Sequence, residues 1–128
     1  MQKTVVLIVD ATITVKNVEA TVKAGGFLAL TNDRKITVWR NPANEDSPSI
    51  EIDCNNNDFY SYDDAELICI RRVISNPQMI YVGFRDKGLM TEVCDLLLNK
   101  FDVIFDDDEG SLTYKGTTLE KVDGPAST

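Results

Sequence analysis

Two short runs, Phe27-Leu28-Ala29-Leu30 and Lys35-Ile36-Thr37-Val38-Trp39, constrain the fold more than any other part of the chain. Between them lies Thr31-Asn32-Asp33-Arg34. Asn and Asp bond their own backbone and tolerate positive φ, so the two runs predict a β-hairpin. Ser49 to Asp53 alternates, with Ile50 and Ile52 on one face, and Leu67-Ile68-Cys69-Ile70 and Met79 to Phe84 read as further strands separated by a turn at Asn76-Pro77. The segment from Val5 to Val22 is also strand-like. It has an apolar run Val5-Val6-Leu7-Ile8-Val9, then Ile13 and Val15, then Val18, Ala20 and Val22, each alternating with polar residues. The parity flips at Lys16-Asn17, which predicts a bulge or a two-residue turn there.

One segment departs from this period of two. Leu89, Val93, Leu96, Leu97 and Phe101 recur at spacings of three and four, predicting a single helix over residues 87–101 with Asp86 as its cap. After it, Asp102 to Phe105 and Ser111 to Tyr114 flank the acidic tip Asp106-Asp107-Asp108-Glu109-Gly110, and Thr117 to Val122 adds a last strand. The fold expected is mostly β, an antiparallel half-open barrel or α+β roll closed by that one helix, with an extra hairpin after it. At 128 residues the chain makes one domain, assigned to residues 1–122, with 123–128 as a tail.

Composition restricts the chemistry. The chain has no histidine, the usual proton carrier near neutral pH and the commonest metal ligand, so most hydrolase triads and catalytic zinc sites are excluded. Thirteen basic against 21 acidic residues give a net charge of −8, which opposes nucleic acid and anionic membranes and favours a basic protein partner. Cys54, Cys69 and Cys94 form no CxxC pair and are odd in number. That argues for a reducing, intracellular setting, cytoplasmic or nuclear, over a disulfide framework. The apolar run near the start stops at Asp10, too short for a signal peptide or a membrane span.

The string from Gly26 to Trp39 resembles the second and third strands of GRAM, TFIIH-subunit and Sm-chaperone members of the pleckstrin-homology-like superfold, in which a Gly-x-Leu-x-Leu-Thr-x-x-Arg pattern ends near a tryptophan. Tyr81 to Phe84 and Glu92 to Phe101 resemble the last strand and closing helix of that superfold. The resemblance implies a half-open barrel closed at one end by the helix.

The candidate contact residues fall in three places. Trp39 stands at the end of the hairpin and could lip a peptide groove. Phe59, Tyr60 and Tyr62 lie among Asp63, Asp64 and other carboxylates, a mixture suited to a segment carrying Lys or Arg. Asp106, Asp107 and Asp108 form the acidic tip. Residues 53–64 also place oxygen-bearing side chains in a calcium-loop register, but Asp58 stands where a glycine must turn and Asp64 where a bidentate Glu belongs, so no metal is assigned. The cysteines have no histidine to activate them, and no cofactor is implied. The function expected is a non-enzymatic protein-interaction module in a larger assembly, holding a basic or extended peptide. The alternatives are a phosphoinositide-binding adaptor, for which Lys23, Arg34 and Lys35 are the available cations, and a component that self-associates through exposed strand edges.

Overall fold

The computed structural model describes residues 2–56, 62–107 and 111–119. Among them the chain runs β1 (Lys3–Asp10), α1 (Val15–Ala24), β2 (Leu28–Asn32), β3 (Lys35–Trp39), β4 (Ser49–Asn56), α2 (Asp64–Val73), β5 (Pro77–Phe84), α3 (Lys87–Lys100), β6 (Val103–Asp106), β7 (Leu112–Tyr114) and β8 (Thr117–Thr118). The strands form one antiparallel sheet in the order β2-β3-β4-β5-β1-β6-β7-β8.

The apolar run of β1 explains its position between β5 and β6. Side chains alternate across a strand, so a strand with apolar residues at successive positions is stable only if both faces are covered. Val5, Leu7 and Val9 face a first core with Val18 and Val22 of α1 and Leu89, Val93 and Leu97 of α3. Val6 and Ile8 face a second, smaller core with Ile70 of α2, Ile74, Met79, Ile104 and Leu112. The sheet is thus the middle of three layers, with α1 and α3 on one face and α2 on the other.

The hairpin forms as expected, β2 pairing with β3 from Leu28↔Trp39 to Asn32↔Lys35. The turn residue Asp33 takes φ 60, the left-handed conformation that Asp tolerates. The helix over residues 87–101 also forms, as α3, and Asp86 accepts from the backbone N–H of Leu89 at 2.9 Å. The hairpin after α3 joins the main sheet, because β6 pairs with β1 from Val6↔Asp106 to Val9↔Val103.

Three expectations are corrected. Val15 to Ala24 is a helix, not a strand: Val15, Val18 and Val22 recur at helical spacing, and a reciprocal cap holds the start. The Asn17 N–H donates to Thr14 Oγ1 at 3.2 Å, and the Thr14 N–H donates to Asn17 Oδ1 at 2.8 Å. Leu67 to Ile70 likewise belongs to helix α2, whose cap Asp63 exchanges the same pair of bonds with Glu66. The fold is α+β, mostly β and antiparallel, as expected, but three helices among the described residues, not one, cover the sheet, which is not closed.

Candidate interaction surface

The open sheet and the position of α2 leave part of one face bare. On the face opposite α1 and α3, α2 packs over β5, β1, β6 and β7, where Met79, Val6, Ile8, Ile104 and Leu112 are buried. Strands β2 and β3 lie beyond its reach. The side chains they present there include Leu28 beside Trp39 and Leu30 beside Thr37, as the pairing register dictates. Leu28 is 38% exposed and Leu30 64%. Trp39 is half-buried and, with Lys23, Phe27, Leu28, Ala43 and Glu45, lines an open concavity of about 590 Å³ at the start of β2.

β2 is also a terminal strand: among the described residues nothing pairs with its outer edge. Its sequence, Leu-Ala-Leu-Thr-Asn, has neither charge nor proline. Those are the residues that commonly blunt an exposed edge against strand addition. The opposite end of the sheet, β8, spans only two residues, both exposed, and offers a much shorter template.

Two polar contacts hold this edge in place. The Thr31 hydroxyl donates to the Glu19 carboxylate on α1, which is itself paired within that helix with Lys23 at 3.3 Å. The bond from Thr31, then that from Lys23, hold the Glu19 carboxyl below its ordinary pKa. At the far end of β3, the Arg40 guanidinium bonds Glu92 on α3 and lies 3.6 Å from Asp86. These contacts tie the hairpin to the helical layer and leave its other face clear.

The sequence-predicted contact residues divide. Trp39 reaches the bare face. Tyr62 is only 9% exposed and sits in the smaller core, its hydroxyl donating to Asp106. Burial, followed by the bond to Asp106, pushes its phenol well above the ordinary range. Asp63 caps α2 and Asp64 begins it, both exposed. Asp107 is half-buried and accepts from the Ser111 N–H at 3.4 Å. Phe59, Tyr60 and Asp108 lie outside the described residues, as does the centre of the calcium-loop register. The two acidic segments therefore meet at Tyr62 and Asp106, while Trp39 stands on β3, separated from β6 by β4, β5 and β1.

The cysteines are environments for a neutral thiol. Burial, then the charge of Asp95, pushes Cys94 up to about 12, and burial, then Asp53, pushes Cys54 up to about 11. Burial raises Cys69 as well. Each shift opposes the thiolate that nucleophilic chemistry needs. Among the described residues no group of acidic or cysteine side chains is placed to hold a metal ion, and no helix is long and apolar enough to cross a membrane. Lys23 lines one concavity, and Arg34 with Lys35 another, so the three cations expected for a phosphoinositide do not share one pocket.

The residues that sequence reasoning missed are Leu28 and Leu30. Two apart along β2, they share a face, but only the position of α2 reveals that this face is bare. No family model, curated protein or solved structure matches the chain.

Proposed function

We propose that this chain is a protein-interaction module that takes an extended segment of a partner as an added strand along β2. The observation that carries the proposal is the uncharged, unpaired edge of β2 with Leu28 and Leu30 exposed on one of its faces. Backbone bonds along the edge supply affinity in such an arrangement, and side chains at alternate positions supply selectivity. Leu28, Leu30 and Trp39 provide an apolar strip for two alternating side chains of the incoming segment. Fully burying a leucine contributes about 1.5 to 3 kcal/mol, so the strip complements the backbone pairing substantially.

The net charge of −8 favours a segment carrying Lys or Arg. Because the strip itself is uncharged, this charge acts mainly on encounter and makes association slower as salt rises. The hairpin that resembles those of pleckstrin-homology-like modules is the one that offers the edge, and the raised thiol pKa values support binding over nucleophilic catalysis.

The test is selection of randomised displayed peptides on the intact protein, with counter-selection on Leu28→Lys/Leu30→Lys. The expected result is enrichment of extended sequences with apolar residues at alternate positions and an excess of Lys and Arg. Peptides that bind the double variant equally well contradict the proposal. A second copy pairing β2 to β2 would appear instead as concentration-dependent dimerisation in sedimentation, lost in the same variant.

A further inference from the structure

A second concavity lies on the helical side of the sheet, where β1 begins, β5 ends and α3 starts. It has a volume of about 740 Å³ and is lined by Gln2, Lys3, Thr4, Val5, Phe84, Arg85, Lys87, Met90, Phe105 and Asp107. The register explains the convergence: Lys3 lies directly opposite Phe84 in the β1–β5 pair, and Arg85 and Lys87 follow at the entry to α3. Val5, Phe84 and Met90 are buried and Phe105 is half-buried, so they form an apolar floor.

Three cations, Lys3, Arg85 and Lys87, converge on that floor. Lys23, Lys35, Arg40 and Lys115 are each engaged by carboxylates. Lys3, Arg85 and Lys87 are exposed, and none of the three is held by a carboxylate among the described residues. In a chain of net charge −8, three cations against one carboxylate, Asp107, give the described lining of this pocket a local charge of +2.

We infer that this pocket binds a phosphate monoester carrying a compact apolar body. A phosphate monoester carries about −1.5 to −2 charge at neutral pH, which matches the local excess better than the single charge of a carboxylate. Arg85 can present its guanidinium to two phosphate oxygens, and the lysines add point charges. The apolar body lies on Val5, Phe84, Met90 and Phe105. The pocket is separate from the β2 edge and stands or falls independently of it. The same chemistry could come from a soluble phosphomonoester or from a lipid headgroup.

Phenyl phosphate titrated into the isotope-labelled protein at millimolar concentration tests the site. The expected result is saturable shifts at the amides of residues 3–5, 84–90 and 105. Inorganic phosphate, lacking the apolar body, and benzyl alcohol, lacking the charge, should each bind about tenfold more weakly or worse. Arg85→Glu/Lys87→Glu, both at exposed positions, should abolish the shifts while preserving the dispersed spectrum. No saturable shift, or shifts unchanged in this variant, overturns the inference. Sedimentation with phosphatidate-containing against phosphatidylcholine vesicles distinguishes the source. Retention by phosphatidate that is lost in the variant supports a lipid headgroup, and a soluble protein that still binds phenyl phosphate supports a free phosphomonoester. Retention undiminished in the variant contradicts the site.

Discussion

The hydroxyl of Tyr62 donates to Oδ2 of Asp106 at 2.5 Å, joining the residue before the α2 cap to the last residue of β6. This bond crosses from the helix on the smaller core to the sheet beneath it. It also brings together two acidic segments 44 residues apart in sequence.

Removing the oxygen alone should be costly, because Asp106 is half-buried and would lose a donor. Tyr62→Phe is expected to lower stability by about 1 to 3 kcal/mol, measured by urea unfolding. The same bond has a pH signature. The folded phenol has a raised pKa, so its contribution is full below the unfolded value of about 10 and is lost as pH rises past it, where the unfolded chain releases a proton that the folded chain retains. Stability of the native sequence should therefore fall more steeply above about pH 10 than that of Tyr62→Phe. Parallel curves would contradict the burial of this hydroxyl.

The thiols give an independent check on the cores. With Cys94 pushed up to about 12 by burial and then by Asp95, almost none of it is thiolate near neutral pH. A thiol-specific reagent should modify Cys94 only at the rate at which the protein opens, and mass spectrometry of the labelled peptide at increasing urea measures this. Labelling of Cys94 in native protein as fast as a free thiol would place α3 wrongly.

The start of α1 rests on the exchange between Thr14 and Asn17. Thr14→Ala should cost about 1 kcal/mol in thermal or urea unfolding, the usual loss for a cap. A strand at Val15 to Ala24 has no such cap to lose, so an unchanged midpoint would favour that arrangement.

The cap is instructive about what the sequence reveals. Helix α3 was legible because one period dominates over several residues, as in Leu89, Val93, Leu96 and Leu97, and β1 because its apolar run Val5 to Val9 is continuous. The α1 segment was ambiguous because Val18, Ala20 and Val22 fit a period of two, while Val15, Val18 and Val22 fit a helix. Its signal was Thr14-x-x-Asn17. In α2 the apolar run from Leu67 to Ile70 is too short for periodicity to separate a strand from a buried helix. The deciding signs were the capping pair Asp63-x-x-Glu66 and the basic residues Arg71 and Arg72 in the last turn, which complement the helix dipole. Of the candidate surface, Trp39 was legible as the end of the hairpin. Leu28 and Leu30 were not, since which face of a sheet stays bare depends on where distant helices dock.

The exposure of Leu30 separates binding from folding. At 64% exposed it makes little contact with the core, so Leu30→Lys should move stability by less than about 0.5 kcal/mol in urea unfolding. A larger loss would mean that Leu30 is needed by the fold itself and is not available to a partner.

The strand-addition proposal is tested most directly by deuterium uptake at residues 28–32, measured in the protein alone and with a peptide selected on it. In the free protein the amides on the outer edge of β2 have no strand partner among the described residues, and they should exchange quickly. Binding should protect alternate amides of Leu28–Asn32, with little change at β8, at the other end of the sheet. Unchanged uptake across 28–32 while protection appears elsewhere would contradict the assignment of the β2 edge as the binding site.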